Sequence, residues 1–580
     1  MKIKYIIKKD IEQALINTNL KICCKPLIIS SKKPEFGNYQ VDNFIKISNK
    51  INIQPYDLYK KIFLFLNIKS MYKKITFSHP GYVNIFINQN WLSEKLEEVF
   101  TSSRLGIKHV YPKKRIVIDY SSPNIAKEMH IGHLRSTIIG DVTVRALEFL
   151  GHHVIRANHI GDWGTQFGML IAYLKYKQTE NKLKKNLISL KEIEKFYCKS
   201  KKKYDSDKNF EKQSKKYVVK LQNGDKNCFF IWKKLVSITM NYNYKIYKKL
   251  NVTLNKKHTM GESLYNKMLP NIVEDLKAKK IAIEKNGSII VFLNEFQNRL
   301  GQPMGVVIQK QDTAYLYSTT DIACIKYRYE TLRADRIIYY TDLRQHQHLL
   351  QAWTIAQKAS YIPKNFLLEH HTFGMMLSKN KRPFKTRDGN TIKLNQLLEE
   401  AINRAKNLIK QKKPNLSNQK LIKLSNIIGI SAVKYADLSK NRNTNYIFDW
   451  DTMLTFEGNT SPYIQYAYTR ITSILKKSMI HIHKISEKII LTKDSEIKLA
   501  IKILEFEEII SIIEKNGTPH IMCNYLYKLA TYFSNFYEHC SILFNKKIKT
   551  SKSRLKLCFL TAKTLKKGLN ILGIKILKKM

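Results

Sequence analysis

The sharpest change of pattern along the chain comes just before Arg115. Upstream, residues 1 to about 105 combine a helix-like start, a Pro/Gly interruption at Pro34–Tyr39 and apolar–polar alternation in Gly81–Asn88 (GYVNIFIN). These patterns predict a small module of helices and strands. Lys113–Lys114 in YPKKR read as a linker. Arg115–Tyr120 (RIVIDY) is then a compact apolar strand, followed by the non-periodic loop SSPNIAKEM and a helix-like run from His133 to Leu150. Past Gly151 a second strand lies in HHVIRAN. Strand, loop, helix and strand within about 40 residues make a βαβ unit, the start of a parallel, doubly wound sheet.

Residues 175 to about 260 are Lys-rich and helical in period. Strand-like pieces return at Ser288–Leu293, Met304–Gln309, Thr313–Ser318 and Arg336–Thr341, and these could complete the sheet. From about residue 395 the strands fade and helix-length periodic segments run to Met580. The chain divides into a small α/β module over 1–110, an α/β core over 111–450 and an all-α bundle over 451–580. That division agrees with roughly one domain per ~150 residues.

Composition adds one outlier. Hydrophobic residues at 44% suffice for packed cores, but 101 Lys+Arg against 46 Asp+Glu leave a net charge of +55. Such a field favours polyanions, nucleic acid first. The excess is mostly Lys, in a chain also rich in Ile and Asn, which A/T-biased codons would equally produce. The eight cysteines (Cys23, Cys24, Cys198, Cys228, Cys324, Cys523, Cys540, Cys558) include no CxxC pair, against a disulfide framework or zinc ribbon. They read as isolated buried thiols in a reducing cytosol. Neither an apolar signal-peptide core nor a run long enough to span a membrane is present. GxxxxGK[ST] and HExxH are also missing. A cytoplasmic, soluble chain is expected.

Candidate chemistry concentrates in SSPNIAKEMHIGHLRST, Ser121 to Thr137, where His130 and His133 flank Gly132 at a helix start. Gly132 removes a side chain where a base or ribose could approach, and the imidazoles sit beside free N–H groups at the positive dipole end. That arrangement suits a polyphosphate. Two helix-terminal histidines that cap or pack are the structural alternative, disfavoured by their place after a first βα turn.

At these residues the chain resembles the class I aminoacyl-tRNA synthetases, whose signature is His-Ile-Gly-His, and more narrowly the arginyl-tRNA synthetase family of bacterial type. The resemblance also rests on RANHIGDWGTQFGML (Arg156–Leu170), RQHQHLLQAWTIA (Arg344–Ala356), HHTFGMMLSKNKRPFKTRDG (His370–Gly389) and GNTSPYIQYAYTR (Gly458–Arg470). It implies a Rossmann-type core that makes arginyl-adenylate from arginine and ATP, the latter with Mg2+, and passes arginine to the terminal ribose of tRNA. No structural metal is expected.

The resemblance implies that His130, Gly132 and His133 meet ATP and that Lys127 replaces a charge lost with the family class's second Lys-rich signature. The place of that signature holds Phe384-Lys385-Thr386-Arg387, making Lys385 and Arg387 catalytic candidates; Met376–Lys379 (MLSK) resembles it too. An arginine side chain asks for carboxylates and planar acceptors. The resemblance places Asp119, Tyr317 and Asp321 around the guanidinium, and Asn124 and Gln345 at the backbone end. A solvated strand-end carboxylate and a helix N-cap are the competing readings of Asp119 and Asp321.

The resemblance further implies a helical anticodon-binding domain over roughly 455–580, an N-terminal module (PEFGNYQ at 34–40) that meets the tRNA elbow, and a monomer. Aromatics and cations do interleave at Tyr463, Tyr466, Tyr468 and Arg470 and across 524–540. Yet Tyr525, Leu529, Tyr532, Phe533 and Phe536 fall at helical spacing and read as core.

Overall fold

In the computed structural model, the described residues are 2–20, 24–31, 33–66, 70–179, 189–298, 300–382, 392–543 and 548–577. The apolar run RIVID forms the strand Arg115–Asp119 at the centre of a four-stranded sheet. His153–Ala157 pairs on one side; Arg336–Tyr339 and then Leu367–His370 lie on the other, all parallel. The chain therefore winds outward first to His153–Ala157 and returns past Arg115–Asp119. The crevice between Arg115–Asp119 and Arg336–Tyr339 is the switch point, where ligands sit in open parallel sheets.

Two of the strand-like pieces take a different place. Ser288–Gln297 and Pro303–Gln309 are strands, but with Ala282–Lys285 they build a separate antiparallel sheet. The connection between them is too short for the crossover that parallel pairing needs. Thr313–Ser318 is not a strand: the chain turns there and the helix Tyr317–Glu330 begins. The fourth strand of the parallel sheet, Leu367–His370, has only four residues and gave no pattern of its own.

The helix Gly132–Leu150 follows the first strand and is buried along almost its whole length. Gly140 permits this packing, because a Cβ there would lie 2.4 Å from the Tyr120 Cβ at the strand end. Farther along the chain, the Lys-rich block forms the helices Leu190–Ser206, Lys208–Gln222 and Lys226–Lys249. Leu394–Lys412 and Asn418–Leu438 are the last long helices of the core, and helices from Ser461–Lys477 to Ile548–Ile571 make the C-terminal bundle. Within it Tyr525, Leu529, Phe533 and Phe536 are buried, whereas Tyr466 and Tyr532 remain on the surface.

The N-terminal module is an antiparallel sheet, in the order Ile28–Ser30, Tyr39–Val41, Tyr82–Ile87 and Tyr72–Ser78, with helices beside it. It docks on the bundle through Tyr39, whose hydroxyl donates to Glu505 at 3.2 Å, and through the Lys4 amide, which donates to Glu508 at 2.6 Å. Of the cysteines, Cys228, Cys324, Cys523, Cys540 and Cys558 are buried as free thiols; Cys198 is exposed, and Cys23 lies outside the described residues. Among the described residues no helix is long and apolar enough to cross a membrane.

Arg135 ties the helix Gly132–Leu150 to the later part of the core. Its buried guanidinium lies 3.3 Å from Asp437 on the helix Asn418–Leu438 and donates to the carbonyls of Gly374 at 2.8 Å and Thr444 at 3.0 Å. Removing one partner leaves a buried charge uncompensated, so Arg135→Ala is expected to cost about 3 kcal/mol or more in stability. Chemical denaturation checks this, and a midpoint unchanged from the wild type would contradict it.

Candidate functional site

The loop that leaves the strand Arg115–Asp119 is held in a conformation that side chains rarely adopt. Ser121, Ser122 and Ala126 have φ of 73°, 45° and 67°. Such strain persists only where surrounding bonds impose it. The Ser121 amide donates to Ser136 Oγ at 2.9 Å, and the Ser122 amide to Asn158 Oδ1 at 3.0 Å. Ser136 Oγ in turn donates to the Tyr340 carbonyl at 2.7 Å, tying the loop to the far side of the switch point. Asn124, exposed, pairs in parallel register with Gly161, and its side-chain oxygen fills the space that a Cβ on Gly161 would need.

The loop ends at His130 and His133, half-buried, with ring centres 4.0 Å apart. The His130 amide donates to His133 Nδ1 at 3.1 Å, and the Gly132 amide donates to His130 Nδ1 at 3.0 Å. Each Nδ1 is thus an acceptor, which leaves the ring proton on Nε2. Burial is the largest cause holding both rings below the usual histidine range, His133 at about 3. For His130, Lys393 and then Lys127 add to the effect. The pair is therefore a neutral set of Nε2–H donors.

Two sequence expectations change here. The amides at the helix start are not free: besides those of His130 and Gly132, Ile131, His133 and Leu134 donate to the carbonyls of Ile392, His130 and Ile131. Nor is the space over Gly132 open for a base, because a Cβ there would lie 2.8 Å from the His130 ring. Glycine is needed so that the imidazole can fold back over the turn. Lys127 stands beside the pair with its Nζ 4.3 Å from the Tyr197 ring centre. Lys385 and Arg387 lie outside the described residues. In the MLSK string, Lys379 is engaged by Asp449 at 3.1 Å and Asp451 at 3.2 Å.

Across the crevice, Tyr317 and Asp321 lie one turn apart at the start of the helix Tyr317–Glu330. Asp321 is not the N-cap, a position held by Leu316. Its carboxylate meets His348 Nε2 at 2.5 Å, and the Tyr317 ring packs edge-on against His348 with centres 4.6 Å apart. Gln345, exposed, precedes the helix His346–Lys358 that supplies His348.

Asp119 departs from the expectation of a carboxylate open to a substrate. It is buried, 2.6 Å from the Arg328 guanidinium, and it accepts from Ser122 Oγ at 2.8 Å. Its position at the end of a core strand gave no sign that an arginine of this chain, most of a helix beyond Tyr317, would reach it. Sequence reasoning missed Glu262, which sits in a Gly-Glu-Ser string with no periodic context. Glu262 is half-buried and senses His159, Asp321 and Asp162; burial pushes it from its ordinary value of 4.5 up to about 7. Asp321 and Glu262 are two carboxyl groups within electrostatic reach of each other, and Asp321 also acts on Tyr339 at the end of the strand Arg336–Tyr339.

The profile described as "tRNA synthetases class I (R), catalytic domain" matches residues 95–450, more than half of the chain. The chain belongs to this family. A profile for the "DALR anticodon binding domain" matches 464–580, and one for the "Arginyl tRNA synthetase N terminal domain" matches 4–87. An arginine–tRNA ligase of Buchnera aphidicola subsp. Schizaphis graminum is 73% identical over 580 residues, covering all of both chains. One from Yersinia enterocolitica is 53% identical over the same span, again with full coverage. The arginyl-tRNA synthetase of Plasmodium falciparum is similar in structure, with a TM-score of 0.85 and 33% identity over the whole of both chains. The Thermus thermophilus arginyl-tRNA synthetase, at 20% identity and a TM-score of 0.78 with full coverage, shows the same fold.

The raised value of Glu262 sets a sign for stability. A carboxyl that binds its proton more tightly folded than unfolded burdens the fold as pH rises from about 4.5 through about 7, fully above that. Glu262→Gln should therefore raise the thermal midpoint relative to the wild type at pH 8 and give no such gain at pH 4. Scanning calorimetry at the two pH values checks this; a variant less stable at pH 8 would contradict it.

Proposed function

We propose that the chain is an arginine–tRNA ligase that couples arginine to ATP and then to tRNA. The observation that carries this is a pair of neutral Nε2–H imidazoles on the loop that leaves the central strand of the parallel sheet, in a chain whose residues 95–450 match the class I synthetase catalytic domain. In the first step the arginine carboxylate attacks the α-phosphorus of ATP. The bond to the bridging oxygen breaks, and pyrophosphate leaves with that electron pair. Because the substrate supplies the nucleophile, the protein's work is positioning and charge stabilisation. His130 and His133 donate from Nε2 to phosphate oxygens, and Lys127, with Lys385 and Arg387, supplies positive charge. ATP enters with Mg2+ as substrate.

The guanidinium of the substrate lies against Asp321 and Glu262, bordered by Tyr317, while Asn124 and Gln345 hold its backbone end. Asp119 acts one layer below, fixing Arg328 and Ser122. A planar, five-donor head matches two carboxylates in a way that lysine cannot, which allows discrimination of about 10⁴ without proofreading. In the second step the terminal ribose hydroxyl of tRNA attacks the arginyl carbonyl and AMP leaves. The bundle over 451–580 takes the anticodon and the module over 1–110 the tRNA elbow. The enzyme works as a monomer in the cytoplasm.

ATP–pyrophosphate exchange, run with each amino acid and with and without cognate tRNA, tests this reading. Arginine-dependent exchange is expected, and its absence in both conditions would overturn the assignment. His133→Ala should lower turnover by about 10² or more with little change in thermal midpoint; equal loss of fold and activity would mark the histidine as structural. Binding a guanidinium favours ionised Glu262. The arginine KM of the wild type should therefore rise as pH falls below about 7, and Glu262→Gln should flatten that dependence.

A further inference from the structure

The imidazole pair supplies donors but no charge, so the positive charge that a triphosphate requires must come from elsewhere. One source lies on a segment that the motifs do not include. The chain at Ile392–Leu394 runs antiparallel to the signature loop, with Lys393 opposite His130. The Ile131 amide donates to the Ile392 carbonyl at 3.1 Å, and the Leu394 amide to the Met129 carbonyl at 2.9 Å. The Lys393 backbone is thus pinned to the signature loop on both sides. Its side chain, 30% exposed, is ion-paired with Glu194, which is 25% exposed, on the helix Leu190–Ser206. One turn farther along that helix, Tyr197 lies under the ammonium of Lys127.

We propose that Lys393 is a phosphate-binding cation of the ATP site, and that Glu194 and Tyr197 are positioning residues that hold Lys393 and Lys127 on either side of His130 until the nucleotide arrives. Both holding contacts are of the exchangeable kind, a partly exposed ion pair and a cation over a ring. A triphosphate presents more negative charge than one carboxylate and displaces Glu194 into water. Lys393 is also the charge that His130 feels most, ahead of Lys127, which places its ammonium near the donor it would assist. The helix Leu190–Ser206 acquires a role in the reaction that the family resemblance had not given it. The inference rests on the ATP reading above and extends it by one residue and its partner.

Steady-state exchange kinetics on the full chain, with arginine and cognate tRNA present, test it. Lys393→Ala should raise the ATP KM and lower kcat, together by about tenfold or more, with arginine KM and thermal midpoint unchanged. Lys393→Arg should restore most of the loss. Glu194→Gln, which frees the lysine, should keep kcat and lower the ATP KM by up to about fivefold. Exchange by the wild type with Lys393→Ala within about twofold of it would overturn this inference alone. So would a Lys393→Ala variant that loses thermal stability and arginine affinity together and is not rescued by arginine. No arginine-dependent exchange by the wild type would instead remove the broader reading on which it stands.

Discussion

Two backbone amides govern the chemistry at the head of the helix Gly132–Leu150. By donating to Nδ1 of His130 and His133, they consume the ring position that would otherwise take up a proton near neutral pH. The rings are fixed as Nε2–H donors, and burial reinforces the neutral form. This depends on Gly132, over which the His130 ring folds, and on the strained loop from Ser121 to Ala126. That loop in turn depends on Ser136 and Asn158. The result is a pre-set donor pair, which on the proposed function would need no reorganisation as charge develops on a phosphate oxygen.

Around this pair the charged groups are matched before any substrate arrives. Asp119 has Arg328, Asp321 has His348, Lys393 has Glu194 and Lys127 has the Tyr197 ring. The pairs differ in burial, and burial sorts their roles. Asp119–Arg328 lies inside the core and serves as floor, whereas the others are partly open and can exchange partners with a ligand. Glu262 is the exception: it is pushed up to about 7 and gains from an arriving cation. The net charge of +55 describes the field that draws a polyanion from a distance. On the proposed function, selectivity would reside in a few carboxylates that this number conceals.

Much of this arrangement could be read from the residues. The apolar run at Arg115–Tyr120, the helix after His133 and the strand near Arg336 are each declared by local pattern, and the structure joins them as a βαβ-type sheet. Long-range pairing was harder. Ser288–Gln297 and Pro303–Gln309 read as strands, but period alone does not say which sheet a strand joins. The helix that carries Tyr317 and Asp321 is docked on the strand Pro303–Gln309, where the Ser318 and Thr319 hydroxyls donate to the Val307 and Ile308 carbonyls. Tyr317 and Asp321 both meet His348, while Asp119 is ion-paired with Arg328, 209 positions away. Glu262 and Lys393 carry no motif; only the fold reveals them, by bringing one against Asp321 and the other against His130.

The most direct test of this account is nitrogen NMR of histidine-labelled protein, with His130 and His133 assigned by substitution and followed from pH 5 to pH 8. His133 should remain neutral throughout and His130 should take up a proton only below the ordinary histidine range, each with the proton on Nε2 and Nδ1 in the chemical-shift range of a hydrogen-bond acceptor. A titration of either ring with a midpoint between 6 and 7, or a proton resident on Nδ1, would contradict the account and return the positive charge of the site to the histidines.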